Sequence, residues 1–252
     1  MKIISYAFLI LFVFVSCEKV EDDSGLICTE ECSSISGKVY THSEIPVKNV
    51  LLNFRFHKSG GQHLVLSRVI SKQRTDKLGQ FNMSFYVEDE EIGETSGSFE
   101  LYADRNSIPN GLFYPSVFGL SNSNFDIQSR DYSAQRNLYL PTFKKIKIEL
   151  KNFNPIAPDD YFSVMSMVPC GFDTATINPE TGNRHPYSMY GLNKYVLNNY
   201  QNNSTSKLFE VHFALNELNF IVIRRMKNNA YTEEIIPIQV TINSNEVYQY
   251  NY

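Results

Sequence analysis

Apolar and polar residues alternate with period two along most of the chain after residue 33. In residues 50–57, Leu52, Phe54 and Phe56 fall on one face, while Asn53, Arg55 and His57 fall on the other. That is the pattern of a strand with one buried face. Residues 145–151 alternate as cleanly, with Ile146, Ile148 and Leu150 set against Lys145, Lys147, Glu149 and Lys151. Residues 210–215 repeat the pattern through Val211, Phe213 and Leu215, and residues 236–242 alternate again. Tyr248, Tyr250 and Tyr252 share a face at the C-terminus. Residues 220–223 are apolar on both faces, as in a central strand, and residues 162–168 read as another apolar strand just before Cys170.

Breakers separate these runs at the spacing of a sandwich. Ser59-Gly60-Gly61 predicts a hairpin tip, residues 76–79 a turn, and Asn228-Asn229 and residues 243–245 further turns. Residues 106–132 lack a period and read as a long loop plus linker. No amphipathic helix of three turns is evident. Residues 189–200 come nearest, and Gly191 and the polar composition weaken even that segment. The expectation is an all-β chain of two β-sandwich domains in tandem, of transthyretin-like or Ig-like type. The first would span residues 33–132 and the second residues 133–252.

The first two dozen residues follow another logic. Lys2 precedes an apolar run over residues 3–15, followed by Ser16 and Cys17. This is a secretory signal, and the run is short for a membrane span. The segment Phe14-Val15-Ser16-Cys17 resembles the lipobox of bacterial lipoproteins, with Phe14 where leucine is usual. The resemblance implies removal of residues 1–16 and lipid on Cys17, with two or three acyl chains holding the protein to a membrane. The alternative is an ordinary cleaved signal with an incidental cysteine. Glu18, Glu21, Asp22 and Asp23 then surround Lys19. This stretch resembles the acidic surface-export signal of Bacteroidota lipoproteins, which implies the outer membrane and outward exposure, with a periplasm-facing position as the alternative. Charges this dense repel and extend a chain, so residues 17–32 are expected to form a disordered acidic tether.

One local pattern in the first domain is more specific. Ser36-Gly37-Lys38-Val39 is followed by Ile45-Pro46-Val47-Lys48-Asn49-Val50, then by Thr75-Asp76-Lys77-Leu78-Gly79-Gln80-Phe81. It resembles the carboxypeptidase regulatory-like domain, a transthyretin-type sandwich. Pro46 suits a strand edge, Asp76 can close a turn through its side chain, and Gly79 can take positive φ. Asn49 stands where that family often has glycine. Asparagine also visits the left-handed region. These are scaffold residues and imply no catalysis. The order of elements in the second half resembles uncharacterised Bacteroidota surface lipoproteins.

The chain carries a net charge of −4, which gives no electrostatic footprint for nucleic acid. With Cys17 lipidated, Cys28, Cys32 and Cys170 remain. A Cys28–Cys32 bridge is the preferred pairing and requires a tight turn, because four extended residues span about 13 Å. Pairing of Cys170 with either is the competitor. No cysteine or histidine cluster has metal-ligand spacing, and no cofactor is expected. His57 and His63 flank the glycine tip and are read as exposed, as is His212 on an outward strand face. The acidic residues 88–91 lack the spaced ligands of a calcium loop and read as solvated. No Gly-x-Ser-x-Gly elbow occurs, and Cys170 reads as structural rather than nucleophilic. Two small sandwiches leave little room for a deep catalytic cleft. The chain is therefore expected not to be an enzyme.

Tyr187, Tyr190, Tyr195 and Tyr200 lie in one polar, amide-rich segment and form the candidate binding surface for a glycan or protein ligand. The absence of tryptophan weakens the glycan reading, and cover for the end of the sandwich is the structural alternative. Asp173-Thr174-Ala175 resembles the O-glycosylation motif of Bacteroidota exported proteins, which implicates Thr174. The expected function is a non-catalytic binding or adhesion module held to the membrane through lipid on Cys17. The alternatives are an accessory or structural subunit of an outer-membrane uptake or secretion complex and, third, a small hydrolase.

Overall fold

The computed structural model describes residues 18–59, 65–93, 97–114, 123–152, 160–173, 187–196 and 206–251. The protein is all-β. The first half contains β1 (Glu18–Asp22), β2 (Ser33–Tyr40), β3 (Leu51–Ser59), β4 (Val65–Arg74), β5 (Gln80–Phe85), β6 (Gly97–Ala103), β7 (Ser123–Phe125), β8 (Ser133–Gln135) and β9 (Leu138–Tyr139). A sheet in the order β1-β4-β3-β6-β7 packs on a second sheet built around β2 and β5. The core between them is aromatic. Phe54 is fully buried, and its ring centroid lies 4.5 Å from Phe85, 5.7 Å from Phe125 and 5.9 Å from Phe99. Each such pair contributes about 0.5–1.5 kcal/mol beyond area burial.

Turn chemistry fixes the register. The Asp76 carboxylate accepts from the backbone N–H of Leu78 and of Gln80, both at 2.8 Å, and Gly79 sits at φ +70°. A Cβ on Gly79 would fall 2.4 Å from the Val39 carbonyl oxygen, so glycine is required on both counts. Gly37 is needed for a different reason. A Cβ there would fall 1.8 Å from the carbonyl oxygen of Arg136, which crosses β2 at that point. Asn49 takes the left-handed region at φ +65°.

The segment after Cys17 is not a disordered tether from residue 18 onward. Glu18–Asp22 forms β1, which adds in parallel to the β4 edge with Glu18 opposite Val65 and Asp22 opposite Val69. Two of the acids of this segment find cations rather than repelling one another. Asp22 accepts from Lys72 at 2.5 Å, and Asp23 accepts from Arg68 at 3.3 Å. Cys28 and Cys32 are joined by a disulfide with Cα atoms 5.7 Å apart, and Cys170 is free and buried.

The acidic residues 88–91 are not uniformly solvated either. Glu91 is buried and binds the buried Arg68 guanidinium in a fork, with Nε donating to Oε1 at 2.8 Å and Nη2 to Oε2. Burial works against the Arg68 charge, yet the Glu91 carboxylate, then Glu88 and Asp23, still raise its pKa. Asp89 accepts from Arg130 at 2.6 Å, and that guanidinium also holds Glu31 at 2.8 Å.

The second half contains β10 (Phe143–Lys151), β11 (Tyr161–Pro169), β12 (Gly171–Phe172), β13 (Tyr187–Val196), β14 (Ser206–Ala214), β15 (Leu218–Lys227), β16 (Ala230–Gln239) and β17 (Val247–Asn251). Sheets β14-β10-β17 and β13-β11-β15-β16 enclose a second core through Ile146, Ile148, Phe162, Val164, Phe213 and Ile223. Asn228 and Asn229, both at positive φ, close the β15–β16 hairpin, and the buried Asp160 carboxylate accepts from the Asn228 N–H at 2.7 Å. Pro237 sits on edge strand β16, where its missing N–H leaves no central ladder incomplete.

The boundary expected after residue 132 does not divide the sheets. Strands β8 and β9 pair in parallel with β2, and Leu138 and Leu140 are buried in the first core. The chain crosses to the second core at residues 140–143 and returns at β12, which pairs with β9 and inserts Phe172 into the first core. Residues 106–132 are likewise more than linker, because β7 pairs with β6 and both Phe125 and Ile127 are buried. Tyr187–Val196 is an edge strand on β11, so the nearest helical candidate is extended. By composition, Tyr187, Tyr190, Tyr195 and Val196 favour a strand over a helix. His212 is half-buried beside the Phe143 ring at 5.7 Å, and burial, then Lys145, lowers its pKa.

Glu91→Ala should lower the unfolding free energy by about 3 kcal/mol, because it leaves a buried guanidinium short of its main partner. The exposed Glu90→Ala should shift it by less than about 0.5 kcal/mol in the same urea titration. At β1, the Lys72 ammonium, then Ser24, holds the Asp22 carboxyl down from 3.8 to about 2. A depressed carboxyl contributes stability that is complete above its unfolded pKa near 3.8 and is lost as pH falls through about 2. Carbon-detected NMR titration of Asp22 should give a midpoint near 2, moving toward 3.8 in Lys72→Ala.

Candidate functional site

The sheet formed by β5, β2 and β8–β9 turns its outer face to solvent. A groove of about 610 Å³ runs over it. Strict alternation in β5 sends Phe81, Met83 and Phe85 inward, which leaves Gln80 and Asn82 exposed outward. On β2, Ile35 and Val39 are buried while Ser36, Lys38 and Tyr40 lie at the outer surface.

Register turns these side chains into rows. Ser36 pairs with Asn82 on one side and with Gln135 on the other. One row across three strands is therefore carboxamide, hydroxyl, carboxamide. Two residues along, Lys38 pairs with Gln80 and donates its backbone N–H to the Asn137 carboxamide oxygen at 3.1 Å. The second row is carboxamide, ammonium, carboxamide. Strand spacing makes each row about 10 Å wide, and the rows lie about 7 Å apart. The Tyr40 ring closes one end, with the Lys38 ammonium 5.9 Å from its centroid and the Tyr139 ring at 5.4 Å. Glu44 completes the lining with one negative charge.

The Asn137 wall is held from below. Its backbone N–H and its side-chain amide donate to the two oxygens of Asp173 at 2.8 and 2.9 Å, and the Asp173 N–H donates to the Asn137 carbonyl at 2.8 Å. Asp173 immediately follows β12. The groove wall is thus set by the strand returning from the second core.

Below the Tyr40 end lies a second polar cluster. Glu217 sits in the β14–β15 turn, which the fully buried Asn219 ties down by accepting from the Ala214 N–H at 2.8 Å and donating to the Glu217 carbonyl at 2.9 Å. The Tyr139 hydroxyl and the His42 ring both reach Glu217 Oε1, His42 at 3.0 Å through Nδ1. A carboxylate only accepts, so Nδ1 carries the proton in this contact. Burial, then the Glu217 hydrogen bond, pushes the Tyr139 hydroxyl far above the ordinary phenol range. This cluster joins the first sandwich to the second. Beside it, the Phe113 ring packs tilted against Phe143 with centroids 3.9 Å apart, and the Phe113 N–H donates to the Pro141 carbonyl at 2.9 Å.

The residues singled out from the sequence lie elsewhere. Tyr187, Tyr190 and Tyr195 are on edge strand β13, paired with Pro169, Ser166 and Phe162 of β11. Tyr200, Thr174, His63 and Cys17 lie outside the described residues. His57 is on β3, opposite Ser67 and Ser98. Among the described residues, no group of three or more His, Cys, Asp or Glu could hold a metal ion, and no helix is long and apolar enough to cross a membrane. Sequence reasoning missed Gln80, Asn82, Gln135 and Asn137 because they are scattered over 58 positions and only the parallel β2–β8 pairing gathers them. The one local signal was the outward alternation of Gln80 and Asn82 directly after the Asp76 turn.

No protein-family model and no curated protein matches the sequence. Among solved structures, the Bacillus anthracis TIE protein is similar over 88% of this chain at 10% identity and a TM-score of 0.30, and the chain spans 33% of its length. The shaft pilin SpaA of Lactobacillus rhamnosus GG is similar over 87% of this chain and 97% of its own, at 8% identity and a TM-score of 0.31. BcpA, the major pilin subunit of Bacillus cereus, is similar over 83% of this chain and 69% of its own, at 11% identity and a TM-score of 0.29. Likenesses this distant leave the fold resting on the strand pairing itself.

Asp173→Ala should lower the unfolding free energy by about 2 kcal/mol, since two hydrogen bonds lose their acceptor. Amide exchange of Asn137 should accelerate in the same variant while exchange in β3 stays unchanged.

Proposed function

We propose that this chain is a non-catalytic recognition module held to a bacterial envelope by lipid on Cys17 and presenting the β5–β2–β8 groove to a ligand. The carrying observation is the groove's chemistry. Its polar surface consists mainly of carboxamides and hydroxyls, which hold hydrogen bonds and do not titrate near neutral pH. A wall pinned on both oxygens of Asp173 is preorganised, and preorganisation favours affinity.

The chain path supports anchored display. Position 17 directly precedes β1, whose first residue lies opposite Val65 at one end of β4. The second sandwich is reached through Leu140 and Thr142, beyond the Tyr40 end of β2. The anchor and the second sandwich therefore lie at opposite ends of a body whose ten-residue strand β4 is about 33 Å long. With residues 1–16 removed and Cys17 acylated, this geometry holds the groove and the second sandwich away from the bilayer.

Metabolic labelling with an alkyne-bearing fatty acid tests the anchor. The native chain should incorporate label and partition into the detergent phase of a cloud-point extraction. Cys17→Ser should lose both, and a Cys17→Ser chain that still carried label would overturn the anchor.

A further inference from the structure

The strand register of the groove defines the chemistry of its ligand, and we infer that it takes a neutral oligosaccharide. This inference rests on the recognition reading above and narrows it to a ligand class.

Three ligand classes fit the groove poorly. Both edges of β2 are occupied, by β5 on one side and by β8 and β9 on the other. The floor of the groove over β2 is therefore a sheet face, and among the described residues β2 itself offers no open backbone ladder, which a peptide adding as a strand there would require. A polyanion would meet Glu44 as well as Lys38, so the lining has no excess of positive charge. An apolar ligand would strip water from the carboxamides without replacing their hydrogen bonds.

A polyhydroxylated, uncharged ligand fits on each point. Every sugar hydroxyl both donates and accepts, and so does every carboxamide, with two N–H donors and a two-lone-pair oxygen. Gln80, Asn82, Gln135 and Asn137 present four such groups in two parallel rows. Ser36 and Lys38 stand between them at the centre of each row. Asn137 keeps one N–H and one lone pair after binding Asp173 and the Lys38 amide. The half-buried Tyr40 ring lines the end of the rows, where an aromatic ring suits a sugar's C–H face. The groove is open and long, which suits a short chain of sugar rings rather than a single enclosed ring.

The test uses the full acylated chain in detergent micelles on an array of neutral and acidic oligosaccharides, followed by calorimetric titration with the best neutral binder. Saturable binding to neutral oligosaccharides, insensitive to added salt, is expected. The double variant Gln80→Ala/Asn82→Ala should weaken it about tenfold or more, as two lost hydrogen bonds imply. Both side chains are exposed on an alternating strand, so an unchanged unfolding curve should accompany the loss. Binding confined to acidic glycans, neutral binding that survives the double variant, or no glycan binding at all would overturn the inference. If a protein ligand is instead captured and released by the same double variant, the ligand class falls while the recognition reading stands. If the groove variants alter binding of no ligand of either kind, both fall.

Discussion

The return of the chain from the second core to the first, clamped by Asp173 on Asn137, is the constraint on which the rest of the molecule depends. Two sandwiches joined by one crossing would swing about it. Here the connection is made at residues 140–143 and again at β12, with Phe172 inserted in the first core. The carboxylate that completes the second crossing is also the one that pins the groove wall. The junction of the two sandwiches and the groove wall are thus mechanically linked. Glu217 reinforces the junction from the other side, drawing Tyr139 and His42 of the first sandwich onto a turn of the second.

The buried charges follow the same economy of placement. Arg68 lies inside the first sandwich with Glu91 against it in fork geometry, and Asp23 reaches it from the N-terminal segment. Such a pair adds little net stability over a well-packed apolar alternative, but it penalises every arrangement in which one partner is missing. It therefore selects one placement for the 88–91 turn and for the start of the chain together. A hydrophobic pair would fill the space without specifying which turn lies there.

The strands that the hydrophobic period announces are those with one wet face. Residues 51–57, 145–151 and 210–214 fall within β3, β10 and β14, where Leu52, Phe54, Phe56, Ile146, Ile148, Leu150, Val211 and Phe213 are buried, because a period of two survives any tertiary context that keeps one side of a sheet exposed. The turn at Asp76 and Gly79 was legible for a local reason: its hydrogen bonds close within five residues. What the sequence hid is non-local. Strands β8, β9 and β12 have only two or three residues, too few for a period, and pair with partners 32 to 99 positions away. The groove was invisible for the same reason. The tyrosine-rich stretch drew attention because its residues are adjacent in sequence, whereas the carboxamides are neighbours only in the folded sheet. The acidic residues 18–23 illustrate the opposite error. Their mutual repulsion is real in isolation and is overruled by Lys72 and Arg68, which arrive from fifty positions downstream.

The parallel zippering of β1 onto β4 sets how long a leash the molecule has. A free run of sixteen residues would let the body roam tens of ångströms above a membrane and tumble in every direction. With residue 18 already in register opposite Val65, the slack between position 17, the proposed lipid site, and the fold shrinks to a single peptide unit. A copy acylated at position 17, as proposed, would have a short stand-off from the membrane. Whatever it meets must come to it at that height.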